Sequence, residues 1–272
     1  MKLAFSSISA MDRPLADAAQ VAAQAGLDGL ELTERAPHLA PGCNLEAAAT
    51  AGRVVRAAGL EVVAFGSYLG REAPAEPEAA AHAAACAAAM KTPLLRVWAE
   101  PAAGAGDRGR VVELLQAACD AAAGNAVSVV VERHVGSFAD TPERIEALLA
   151  DVGRDNFALN YQVLDVIAPE AAGAQPADAA ALIAHARYFH LKNFRPNPDG
   201  GALLPGGSLA GGVLDYRAIL AAAFDAGYAG PLAIEFLSWD PLPIEEKLAA
   251  DAAYLRALLA DLGHGGPSPE YS

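Results

Sequence analysis

The sequence predicts a single closed (β/α)8 barrel, an α/β fold around eight parallel strands. Three observations predict it. Strand-like apolar runs alternate with Ala-rich helical runs along all 272 residues, and units that alternate in this way call for a parallel sheet. The count of runs is β(αβ)7α, in a chain close to the roughly 250 residues typical of one barrel. No GxGxxG follows the first strand and no linker divides the chain, so an open doubly wound sheet is disfavoured. The barrel is expected over residues 1–264, and the tail 265–272, rich in Gly, Pro and Ser, is expected to be loose.

The strands are expected near Lys2–Ser6, Gly29–Leu32, Glu61–Phe65, Leu94–Trp98, Val127–Glu132, Phe157–Tyr161, Tyr188–Leu191 and Leu232–Phe236. The helices before the second, third and eighth strands stop at glycine, in AAQAGLDGLEL, RAAGLEVVAF and FDAGYAGPLAIEF. Glycine at the C′ position ends a helix and lets the chain turn back to the sheet. The helix after strand five is the most clearly marked. Ile145, Leu148, Leu149 and Val152 recur at helical spacing. Thr141 is placed to cap it and Pro142 suits its first position. Leu248, Leu255, Leu258, Leu259 and Leu262 form a similar stripe in the last helix, and Pro196–Gly212 reads as a long loop after strand seven.

Composition excludes several functions. The formal charge is −14, against the basic footprint that nucleic acid requires, and it disfavours anionic membranes too. No apolar run approaches the roughly 20 residues of a membrane span. The opening MKLAFSSISAMDRP has too short an apolar stretch for a signal peptide and reads as the first strand. Cys43, Cys86 and Cys119 are scattered and outside any CxxC pattern. They read as small buried thiols, in keeping with a reducing cytoplasm.

The strongest functional signal is a set of polar residues near the ends of strands five to eight: Glu132 in VSVVVERH, Gln162 in FALNYQ, His190 in RYFHLKN and Glu235 in PLAIEF. Barrel enzymes place their chemistry at the C-terminal ends of the strands, so these side chains are expected to converge at one mouth. Two carboxylates, an imidazole and an amide oxygen suit a divalent cation, with Mn2+ first and Mg2+, Co2+ or Zn2+ as substitutes. His134 lies two residues beyond Glu132 and Lys192 two beyond His190, which gives each pair the same side of an extended backbone. Tyr68 after strand three and Trp98 at the end of strand four are candidate aromatic walls for a sugar. Arg96 and Glu31 lie within strands and are read as a buried ion pair that orients the interior.

At VVVERHVGSFADTPERIEALLADV, at FHLKN with its Gly-rich loop and at LDYRAILAAAFDAGYAGPLAIEF, the chain resembles the xylose-isomerase-like TIM-barrel superfamily, over nearly its whole length. The resemblance implies that Glu132 is the strand-five metal ligand and an acid/base, His190 the strand-seven ligand, and Glu235 the strand-eight ligand and second acid/base. It also implies a substrate contact at His134 and at Arg195. Strand six departs from the family pattern: many members carry Asp there and His three residues later, where this chain has Gln162 and Asp165.

The implied activity is a metal-dependent isomerase or epimerase of a ketose or polyol, working by proton transfer through an enediolate. A lyase or dehydratase on a keto-sugar or inosose remains open, as does a non-catalytic sugar-binding barrel, which Gln162 keeps in view. The apurinic endonuclease branch, with its zinc cluster, is disfavoured by only six His and by the charge. The expected partner is a small sugar or polyol; homo-oligomers are common in the superfamily, but no segment here declares an interface.

Overall fold

The computed structural model describes residues 1–71, 77–100, 108–235 and 242–265. Its barrel strands are β1 (Leu3–Ser6), β2 (Gly29–Thr33), β3 (Glu61–Gly66), β4 (Leu94–Val97), β5 (Ser128–Glu132), β6 (Phe157–Tyr161), β7 (Ala186–Leu191) and β10 (Leu232–Ile234). They close in the order β1-β10-β7-β6-β5-β4-β3-β2, every pair parallel. The predicted fold is therefore the observed one, and most strand bounds agree within one or two residues. The last strand stops at Ile234, so Glu235 stands just beyond it. Phe236 and residues 266–272 of the predicted tail lie outside the described residues.

The strands read as continuous apolar runs because both of their faces are buried. Their outer faces join one large core with the helices α1 (Leu15–Gln24), α2 (Leu45–Ala57), α3 (Pro77–Met90), α4 (Arg108–Ala123), α5 (Pro142–Val152), α6 (Gln175–Leu182), α7 (Tyr216–Asp225) and α8 (Ile244–Asp261). In α5 the expected face is inside, with Ile145, Leu148 and Val152 buried. Thr141 accepts from the Arg144 N–H, Pro142 opens the helix, and Gly153 ends it at φ 56°, the left-handed region where glycine costs least. Asn44 and Asp215 cap α2 and α7 through their side chains. All three cysteines are buried and free. Among the described residues no helix is long and apolar enough to cross a membrane.

The stretch after β7, read as a plain loop, carries a two-stranded antiparallel ribbon. It pairs β8 (Phe194–Arg195) with β9 (Leu204–Pro205). Asn193 anchors the ribbon's base, donating to the carbonyls of Leu209 and Leu214 and accepting from the N–H groups of Phe194 and Leu214.

Inside the barrel, Ala4, Ala64, Leu94, Val130, Ala158, Tyr188 and Ala233 form a small apolar floor. Alternation along each strand then lifts the next inward side chain two residues further on, about 6–7 Å toward the C-terminal end. On β4, β5, β6 and β7 and just past β10 that second tier is Arg96, Glu132, Asn160, His190 and Glu235, all buried. A third tier just past the ends of the first four of these strands is Trp98, His134, Gln162 and Lys192. The floor is apolar because nothing there needs charge; the tiers above it hold the chemistry.

Candidate active site

The second tier is an ion-pair network. The Arg96 guanidinium lies between two carboxylates, donating through Nε to Glu31 at 3.1 Å and through Nη1 to Glu132 at 2.6 Å. Glu31 in turn meets His190 Nε2 at 2.5 Å, and His190 Nδ1 lies 3.4 Å from Glu235 Oε2. The expected Arg96–Glu31 pair is present, but it is the middle of a longer chain that reaches both proposed acid/base residues. Gly66, level with Arg96 across the β3–β4 pairing, makes room for it. A Cβ there would lie 2.5 Å from Glu31 Oε1 and 2.7 Å from Arg96 Nη2.

Burial in this tier opposes charge, and the partners decide the outcome. For Glu31, burial works upward, but the His190 and Arg96 charges overcome it and hold the carboxyl at about 2. For His190, burial works downward, while Glu235 and Glu31 raise the imidazole to about 10. Glu132 ends above its ordinary value, because burial and the neighbouring Glu235 and Glu31 charges outweigh Arg96 and His190. Two buried oxygens of the tier make no short hydrogen bond: Asn160 Oδ1, and Glu235 Oε2, which has only its 3.4 Å ion-pair contact with His190 Nδ1.

In the third tier Gln162 donates its amide N–H2 to Glu132 Oε1 at 3.0 Å and to the Arg133 carbonyl at 2.6 Å. Its oxygen accepts from Lys192 Nζ at 2.7 Å, and Lys192 also donates to Asp165. These contacts fix the amide's direction. Turned over, it would set an oxygen against two acceptors and an N–H2 against an ammonium. Toward the rim His134 Nδ1 lies 2.7 Å from Glu100 and its Nε2 3.5 Å from Asp165. The Trp98 ring carries His134 edge-on at 5.1 Å and Tyr68 stacked at 6.1 Å, with the Arg71 guanidinium 4.0 Å from its centroid. The Trp98 indole N–H donates to the Ser67 carbonyl at 2.9 Å, which fixes the ring.

Glu132, Gln162, His190 and Glu235 do meet at one mouth, with Lys192, His134, Tyr68 and Trp98 around them. Arg195 does not join them: it is exposed on the ribbon. Its alternation along the two-residue strand turns it away from buried Phe194, to the solvent side. The four expected metal ligands also do not stand at equivalent heights. Asn160 is the residue paired with Glu132 across β5 and β6, and Gln162 stands one tier above it.

The arrangement does not match the coordination shell of Mn2+ or a similar ion. His190 Nδ1 and Glu235 Oε2 face one another as two ligands would. Glu132, however, is taken by Arg96 and by an amide N–H2, and the Gln162 oxygen is taken by Lys192. Among the described residues no three His, Cys, Asp or Glu side chains are grouped so as to hold a metal ion.

Sequence reading missed Glu100 and Arg71 at the rim and the partnership of Lys192 with Asp165. Asn160 was legible in principle, since it lies two residues before Gln162 and alternation brings both inward. A cavity of about 690 Å3, bordered by Lys2, Glu61, Ser128 and Arg187, opens at the opposite end of the barrel. That N-terminal face is where barrels keep stability rather than chemistry.

A family model for the xylose isomerase-like TIM barrel matches residues 19–258. No curated protein matches the chain. Among solved structures, a xylose isomerase-like TIM barrel protein from Mycobacterium smegmatis in complex with magnesium is 18% identical, with a TM-score of 0.73 over 96% of this chain and 97% of that one. A probable 3-DHS dehydratase, AsbF, from Bacillus anthracis is 20% identical, with a TM-score of 0.70 over 94% and 98%. An L-ribulose 3-epimerase is 19% identical, with a TM-score of 0.70 over 96% and 95%. At these identities the likeness is one of fold.

Proposed function

The chain belongs to the xylose isomerase-like TIM barrel family, and from that premise we propose that it is an isomerase or epimerase of a ketose or related polyol, moving a proton between carbons through an enediolate. The observation that carries this reading is Glu235 Oε2, a buried carboxylate oxygen held by a long 3.4 Å ion-pair contact with the His190 ring and by no short hydrogen bond. A carboxylate oxygen accepts at more than one lone pair, and a substrate hydroxyl or C–H at the mouth would give the remaining one a role. Glu132 and Glu235 come from opposite flanks of β6 and β7. One can take the proton α to the carbonyl while the other returns one. Trp98 and Tyr68 offer aromatic faces to the sugar ring, and His134 and Lys192 offer hydrogen-bond donors to its hydroxyls.

Two of the compared structures support the sugar assignment by their names, an L-ribulose 3-epimerase and a D-allulose 3-epimerase. The test is proton exchange in D2O with a panel of free ketopentoses and ketohexoses, followed by NMR. The wild type is expected to wash deuterium into a carbon next to the carbonyl. Glu235→Gln is expected to lower that rate at least about 100-fold with the fold intact. An equal rate in the variant removes Glu235 from the mechanism. Loss of a leaving group from a 3-keto sugar, instead of exchange, assigns the site to a lyase, the reaction class in the name of the probable dehydratase.

A further inference from the structure

We propose that the positive charge this site offers a substrate oxyanion is built into the chain, carried by Lys192, and that the mouth does not take up a divalent cation. The inference rests on the isomerase reading for its chemistry, though not for its test. Three observations on the donor set carry it. First, strand six brings an amide to the mouth where a carboxylate would add negative charge, and that amide points its N–H2 at Glu132. Metal ions bind oxygen lone pairs, not amide hydrogens. Second, the Gln162 oxygen is held by the Lys192 ammonium at 2.7 Å, and the same ammonium is anchored by Asp165. Third, each oxygen of the Glu132 carboxylate already accepts an N–H, one from Gln162 and the other from Arg96 at 2.6 Å, which leaves lone pairs for a proton but sets a fixed guanidinium beside any dication. A dication entering between these groups would meet two fixed cations and would have to break both pairs.

The open oxygens of Asn160 and Glu235 do not reverse this. An uncharged hydroxyl satisfies an acceptor as well as a cation does, and meets no repulsion from Arg96 or Lys192. Lys192 is one tier above His190, on the rim side of the acid/base pair, where the oxygen of a bound ketose carbonyl is within reach of an ammonium. In that place it does what a Lewis acid does: it stabilises the enediolate oxygen as the α proton leaves. No bond to a metal forms or breaks, and the proton stays within the Glu132 and Glu235 pair.

The test uses Mn2+ alone as the probe, on protein stripped by chelation, with calorimetric titration and thermal melting as readouts. The wild type is expected to show no saturable binding up to about 1 mM Mn2+ and no rise in melting temperature. Gln162→Asp combined with Lys192→Met supplies the missing carboxylate and removes the blocking ammonium. It is expected to bind Mn2+ at least about 10-fold more tightly than this limit, with a clear rise in melting temperature. Saturable binding by the wild type at or below about 1 mM overturns the proposal. No binding by either protein also overturns it, since Lys192 and Gln162 are then not what keeps the cation out. Because neither readout needs a substrate, a protein that fails every exchange assay yet excludes Mn2+ sinks the isomerase reading, and with it the oxyanion role of Lys192, and leaves the exclusion of the cation standing.

Discussion

Replacing Arg96 by Met is expected to be the most destabilising single change in the barrel interior. The magnitude follows from its contacts. Its side chain is 4% exposed, between carboxylates that are 0% and 4% exposed, so solvent does little to screen the loss. Removing one partner of a buried ion pair costs about 3–5 kcal/mol, because the other charge is left uncompensated. Here two carboxylates lose the same guanidinium. Glu31 keeps His190 at 2.5 Å and Glu132 keeps the Gln162 amide at 3.0 Å, so the two losses overlap and the total stays within about 3–5 kcal/mol. Met fills most of the volume of the stem, which keeps a cavity from adding to the figure. For a chain of this size the change corresponds to a fall of about 5–9 °C in melting temperature.

Urea unfolding followed by circular dichroism at pH 7 and pH 4 measures it. The gap between wild type and variant is expected to narrow at pH 4. With Arg96 gone, Glu132 takes up a proton more readily in the folded protein, so acid relieves the variant before it relieves the wild type. A loss below about 1 kcal/mol, or a gap that does not change with pH, would refute the view that Arg96 neutralises the two carboxylates.

Gly66→Ala places a methyl 2.5 Å from Glu31 Oε1, and a cost of about 1–3 kcal/mol is expected from overpacking; a neutral outcome in the same urea assay would mean the pair has room to shift. The pH dependence of stability follows from Glu31 and His190. The imidazole is raised from 6.5 to about 10, so its contribution is complete below pH 6.5 and is lost as pH climbs through 10. The carboxyl is lowered from 4.5 to about 2, so its contribution is present above pH 4.5 and is lost as pH falls through 2. Melting temperature against pH is expected to show a plateau between these limits, and Glu31→Gln is expected to flatten both edges; unaltered edges in that variant place the titration elsewhere.

The barrel was legible because its periodicities are local. Thr141, Pro142 and Gly153 punctuate α5 with side-chain and backbone chemistry that needs no distant partner. The convergence of Glu132, Gln162, His190 and Glu235 was legible for a similar reason, since ends of parallel strands meet at one mouth whatever the helices do. What the sequence could not carry was the direction of each polar atom. Gln162 reads as an oxygen donor until the positions of the Arg133 carbonyl and Lys192 are known. Arg96 lies 36 residues from Glu132 and 65 from Glu31, and nothing in the intervening chain announces that one guanidinium serves both. The exposure of Arg195 was hidden for another reason. A loop of Gly and Pro gives no alternation to follow, and the ribbon that forms there turns the side chain to solvent.

The stacking of inward residues in steps of two has a consequence for redesign. Trp98, His134 and Lys192 share a strand with Arg96, Glu132 and His190, yet each stands one storey higher and contacts a different set of neighbours. A library that varies only Trp98 and His134 would reshape the rim while leaving the Glu132–Arg96–Glu31–His190 ion pairs, and the apolar plug beneath them, as they are.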